Sequence, residues 1–139
     1  MPEAGVDGMA AQFLCPAETL VDGGAGVRFT VEFNARQLAA FAVRFDGAVH
    51  GYLNQCAHVP MELDWQEGRF FESSGLYLIC ATHGAMYEPD SGLCVGGPCR
   101  GASLTKLRVE EREGKIFWVP EAPYRPAQTA DNAQAGRAA

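Results

Sequence analysis

Cys56-Ala57-His58 and Cys80-Ala81-Thr82-His83-Gly84 are the segments of this 139-residue sequence best suited to hold a metal. Two of the three histidines and two of the five cysteines lie there, with 21 residues between His58 and Cys80. Each pair joins one soft thiolate to one imidazole. Residues i and i+2 of an extended loop point the same way, so Cys56 and His58 can converge on one small object. Cys80 and His83 converge if the chain makes a tight turn, which Gly84 lets the backbone continue. Four such ligands suit a single tetrahedral zinc. They also suit a two-iron, two-sulfide cluster with cysteines on one iron and histidines on the other. Zinc sites usually take C-x2–4-C followed by H-x3–5-H, or four cysteines, so one Cys with one His used twice is an unusual zinc pattern. The mixed cluster needs that pattern, because each loop then hands a thiolate to one iron and an imidazole to the other. Its bridging sulfides need backbone N–H donors, which Gly84 and Gly96-Gly97 can present closely.

The flanking sequence predicts short strands with turn punctuation. Val27 to Phe33 alternates apolar and polar residues, as a half-buried strand does. Ala42–Phe45 and Val49–Leu53 flank Asp46-Gly47, a hairpin signal because both central residues of a type I′ turn need positive φ. Leu107–Glu110 and Lys115–Val119 flank Glu113-Gly114 in the same way. The apolar run Leu76–Ile79 leads into Cys80. The best helical candidate is Asn34–Ala40, a turn or two at most. No internal repeat is present. The fold class expected is all-β: a β scaffold carrying a metal-holding insertion over about 55–101. Residues 1–11 read as a flexible lead, 12–120 as the domain, and 121–139, rich in Ala, Pro, Gln and Asn, as a disordered tail.

The chain is long enough for one domain with a real core. Its net charge of −6 argues against nucleic acid or an anionic membrane surface as partner and for basic protein patches. No run approaches the roughly 18 apolar residues of a membrane span. The first twenty residues carry acids where a secretory signal needs positive charge. A reducing cytoplasm is therefore expected, where cysteines are ligands or buried thiols rather than disulfides.

Cys56-x-His58 and Cys80-x-x-His83-Gly84, followed by Tyr87, Asp90, Gly92 and Gly96-Gly97-Pro98, resemble a Rieske-type 2Fe–2S domain of the soluble ferredoxin-like branch. The similarity covers roughly residues 13–119. It implies an antiparallel β sandwich or incomplete barrel, with the cluster-binding subdomain inserted between outer strands. It further implies one 2Fe–2S cluster with Cys56 and Cys80 on the inner iron and His58 and His83 on the outer. Gly84, Ala85, Tyr87 and Pro98 would surround it, Pro98 in the covering loop and Tyr87 as a donor to a cysteine sulfur. The sequence departs from the family at three places. The 21-residue gap is longer than usual, so Glu62 to Ser74 is expected to form an extra excursion. The additional cysteine that the respiratory members carry in each cluster loop is missing, as is their membrane anchor. Ala85 stands where high-potential members have serine, which implies a potential in the lower half of the roughly −150 to +300 mV Rieske range.

The remaining candidates have plainer readings. Tyr87 is either that donor or a core aromatic. His50 is a surface or packed histidine, and Cys15 a small buried apolar residue. Cys94 and Cys99 bracket Val95–Pro98 and read as two reduced thiols in the covering loop, a disulfide being the alternative. Gly23-Gly24-Ala25-Gly26 is a turn, since Phe29 stands where a dinucleotide loop needs its last glycine. The run Glu110–Glu113 is a solvated face that could steer a basic partner.

A Rieske oxygenase needs a second domain with a mononuclear iron on two histidines and a carboxylate, and neither the residues nor the histidines remain for it. The expectation is a non-enzymatic one-electron carrier, passing electrons from a reductase to a terminal oxygenase or similar enzyme. A small Rieske subunit docked in a larger redox enzyme, or a redox- or metal-sensing module, are the alternatives. Structural zinc comes last.

Overall fold

In the computed structural model, the residues described are 11–55, 62–64, 68–80, 84–97 and 102–127. The strands are β1 (Gln12–Pro16), β2 (Val27–Phe33), β3 (Arg36–Phe45), β4 (Ala48–Leu53), β5 (Leu78–Ile79), β6 (Met86–Tyr87), β7 (Cys94–Gly96), β8 (Lys106–Leu107), β9 (Val109–Arg112), β10 (Lys115–Trp118) and β11 (Arg125–Pro126). A single turn of 3-10 helix, Ala17–Thr19, is the one helical element among the described residues. The strands form three antiparallel sheets, ordered β1-β10-β9, β11-β2-β3-β4-β8 and β5-β6-β7. The expected all-β architecture holds.

Two-residue turns set the registers of the long strands. Asp46 and Gly47 join β3 to β4 with φ of 53° and 81°. Glu113 and Gly114 join β9 to β10 with φ of 52° and 77°. Positive φ at both central positions makes each a type I′ turn, whose twist matches that of the strands it joins. A further turn corrects the helical expectation over Asn34–Ala40. Asn34 and Ala35 both have positive φ, 52° and 62°, and Phe33 pairs directly with Arg36. The alanines and Gln37 favour a helix locally. The ladder of β3 against β2 and β4 overrides that preference, because it buries β3 on both sides.

β3 is the hinge of the packing. Ala40 and Ala42 face one way, joining Val31, Leu53, Ile116 and Trp118 between the two larger sheets. Phe41 and Val43 face the other way, joining Tyr52, Phe70, Leu78, Tyr87 and Leu104 beneath the small sheet. Phe41 and Phe70 stack with centroids 4.0 Å apart and planes 11° apart. Such a pair is worth about 0.5–1.5 kcal/mol beyond the area it buries. The long strands thus form a sandwich, and the small sheet packs on its outer face. In sequence that sheet lies between β4 and β8, as the insertion reading expects.

The tail expectation fails at its start. Arg125 and Pro126 pair with Glu32 and Val31 as β11, and the Tyr124 ring lies 5.5 Å from that of Phe33. An aromatic residue and an edge strand with open pairing partners outweigh a Pro- and Ala-rich composition. The rest of the expected tail, and residues 1–10 of the expected lead, lie outside the described residues.

Candidate metal centre

Leu78 pairs with Tyr87 and Ile79 with Met86, so β5 and β6 form a hairpin whose connection starts at Cys80. The Cys80 amide donates to the Ala85 carbonyl at 2.8 Å, and the Gly84 amide donates to the Cys80 carbonyl at 2.8 Å. Gly84, at φ +73°, completes the reversal, and the space where its Cβ would stand is open. These bonds bring Cys80 and Gly84, the two ends of the turn expected at the second pair, close together. Cys80 is fully buried and is a thiol rather than half of a disulfide.

A second backbone lies against this turn. β7 runs beside β6, and Gly97 follows it at φ +89°. A Cβ on Gly97 would stand 2.9 Å from Ala85 Cα and 3.2 Å from the Gly84 carbonyl oxygen, too close for any side chain. Gly96-Gly97 thus covers the ligand turn by direct backbone approach, which glycine alone permits. Ala85 and Tyr87 are fully buried beneath it. A buried thiol at a closed turn, framed by two glycine backbones, fits the cluster that the donor set implies.

The other sequence candidates separate clearly. Cys56, His58, His83 and Pro98 lie outside the described residues. Accordingly, the described residues contain no group of three or more Cys, His, Asp or Glu placed to hold a metal. Cys94 corrects the reduced-thiol reading: it is disulfide-bonded. Cys15 and Cys80 are thiols. Cys15 lies in the scaffold on β1, where burial raises its thiol pKa more than the Arg44 cation lowers it. His50 sits on β4 opposite Val43. Burial lowers its pKa, Lys106 lowers it further, and Asp90 opposes both. Neither belongs to the ligand turn.

Within the segment between the pairs, residues 70–72 pair with 77–79 and extend the small sheet. The Ile79 amide donates to the Phe70 carbonyl, Phe71 bridges Leu78, and the Glu72 amide donates to the Tyr77 carbonyl. The Glu72 carboxylate accepts from Ser74 and from the Leu76 amide, closing the tip, and the Ser74 bonds hold its pKa below the usual carboxylate value.

A model of the Rieske [2Fe-2S] domain matches residues 10–121. The chain belongs to the Rieske [2Fe-2S] domain family. Its fold is similar to the ferredoxin of carbazole 1,9a-dioxygenase from Nocardioides aromaticivorans IC177, with a TM-score of 0.62 and 19% identity over 80% of this chain and 98% of that one. A ferredoxin of Sphingomonas yanoikuyae B1 matches with a TM-score of 0.60 and 20% identity, over 80% and 99%. A chain from a complex of reduced oxygenase and oxidised ferredoxin in carbazole 1,9a-dioxygenase matches with a TM-score of 0.60 and 18% identity, over 78% and 92%. No curated protein matches the sequence. Among the described residues of this Rieske domain, no helix is long and apolar enough to cross a membrane.

Proposed function

We propose that the chain is a one-electron carrier in which Cys56, His58, Cys80 and His83 hold a 2Fe–2S cluster. The observation that carries this reading is the Cys80–Ala85 turn, closed by two backbone hydrogen bonds and covered by Gly97. When bound, such a cluster takes up and releases a single electron. The chain's own part is to fix the ligands and to limit water. Cys80 enters from a buried strand end and so supplies an inner ligand. His83, three residues on, supplies an outer one, and His58 of the first pair the other. These two imidazoles are then the shortest exit for the electron.

The partners proposed are a reductase and a terminal oxygenase or similar redox enzyme. Similarity to a ferredoxin from a complex with an oxygenase supports that class. With a net charge of −6, docking on a basic partner should weaken as salt rises. Protein purified without air should carry about two irons and two sulfides per chain and show the absorption and electron paramagnetic resonance of a mixed-ligand cluster. A colourless protein holding zinc would sink the assignment. With alanine at position 85, the midpoint should fall in the lower half of the Rieske range, and one near its top contradicts the role given to that position.

A further inference from the structure

β4 ends at Leu53, and the next residue, Asn54, is fully buried. Asn54 and Asp64 are the buried polar residues among those described. Asn54 Nδ2 donates to Asp64 Oδ1 at 2.8 Å. Asn54 Oδ1 accepts from the Leu63 amide at 2.8 Å. Asp64 Oδ2 accepts from the Gly68 amide at 2.9 Å and lies 3.7 Å from Arg28 Nε on β2. The Asn54 amide donates to the Ala39 carbonyl at 2.8 Å, anchoring the pair to β3.

Apolar residues of similar size would fill this space at no cost in buried polarity, so the pair contributes something other than burial. It contributes register. The bonds from Asn54 to Leu63 and Asp64 close the chain on itself, and the interval they close, residues 55–62, contains Cys56 and His58. The second ligand pair has its own backbone turn, Cys80 to Ala85. The first has these side-chain bonds.

We propose that Asn54 and Asp64 form the positioning device of the first ligand pair, closing the loop that carries Cys56 and His58 whether or not a cluster is bound. The proposal rests on the assignment of those residues as ligands. Its physical content is preorganisation: a loop already closed does not lose that freedom when it binds, and it reopens less often afterwards. Asn54 touches no cluster atom in this scheme and acts through the loop alone.

The test compares cluster release from the purified, loaded full chain into excess chelator, followed by visible absorbance. Each variant is held equally far below its own thermal midpoint. Asn54→Ala should speed release by roughly 10- to 100-fold and broaden the electron paramagnetic resonance lines. Arg44→Ala is the control, because Arg44 clamps the Ala17 and Leu20 carbonyls and Glu111, all in the scaffold. It should leave release within about twofold of wild type, since contacts that touch neither site usually act independently. The double variant Asn54→Ala/Asp64→Ala should speed release by less than the product of the two single effects, since the Asn54–Asp64 bond is lost in each of them. If Asn54→Ala does not fold, Asp64→Ala removes the acceptor of the same bond while leaving Asn54 in place, and should speed release likewise. Loaded wild type and unchanged release in the variants would overturn this proposal alone. Wild type that carries no iron would overturn the reading beneath it, and this proposal with it.

Discussion

The scaffold and the small sheet are held together in different ways. β3 is ten residues long and pairs along its length with β2 and β4, so its order is shared over many equivalent bonds. β5 and β6 have two residues each and β7 has three. Beyond short backbone pairings and the Cys94 disulfide, their order rests on single contacts: the Phe41–Phe70 stack, the Tyr52 hydroxyl donating to the Pro89 carbonyl at 2.8 Å, the Asn54–Asp64 bond, and Gly97 on Ala85. A region built on single contacts can place ligands accurately with little regular structure. It can also lose that placement while the sandwich stays folded.

The largest effect expected tests that separation directly. Cys80→Ser should abolish bound iron and sulfide, measured per chain, and the far-ultraviolet circular dichroism of the strands should stay as in wild type. The thermal midpoint should fall, because a group that binds only the folded chain stabilises it by mass action. If the strand signal collapses together with the iron, the two regions are one cooperative unit and the comparison breaks.

Phe70→Ala cuts the joint between the regions. Phe70 is fully buried and stacked on Phe41 of β3. Removing such a ring should cost about 3–5 kcal/mol in urea unfolding. A loss of only about 1 kcal/mol, far below that range, would mean that the small sheet is scarcely coupled to the sandwich.

The same division explains how much could be read from sequence. The sandwich was legible where its signals are local and redundant. Val27 to Phe33 alternates, and Asp46-Gly47 and Glu113-Gly114 mark type I′ turns. Cys80 and Gly84 could be read as a turn because their chemistry demands one. The Asn34-Ala35 turn was not legible, since alanine rarely adopts positive φ and only pairing across the sheet forces it there. β11 was missed because its partner edge on β2 lies far upstream, near the other end of the domain. The Asn54–Asp64 bond gave no signal either: an asparagine after a strand usually marks a turn, and its burial depends on a loop that returns later. The Cys94 disulfide runs against the expectation of reduced thiols for the same reason, since spacing alone does not fix a redox state.

A pair of glycine variants sharpens the comparison at a smaller scale. Gly114 (φ +77°) in the scaffold hairpin has open space where a Cβ would stand, whereas a Cβ at Gly97 would meet Ala85. Gly114→Ala should cost about 1–2 kcal/mol, the penalty of a left-handed conformation for a residue with a side chain, and should leave cluster release unchanged. Gly97→Ala carries that same penalty plus a clash with the ligand turn, so it should lower stability further and speed release into chelator. Equal release rates in the two variants would remove the special status of the covering loop.

The smallest effect lies in the scaffold and depends on pH. His50 on β4 is half-buried, and its pKa is lowered by burial and by Lys106, against the pull of Asp90. The unfolded chain therefore binds a proton at this site more readily than the folded one. The neutral imidazole's contribution to stability is present above the ordinary histidine value of about 6.5 and is lost as pH falls through the depressed folded value. Thermal midpoints of wild type should consequently fall more steeply below about pH 6.5 than those of His50→Gln, which has no proton to gain. The proposed ligands His58 and His83 are present in both proteins, so their titration cancels and the difference in slope belongs to the scaffold. Iron content should be the same in both. A variant that lost iron would tie β4 to the cluster through His50 and erase the boundary between the two regions at that strand.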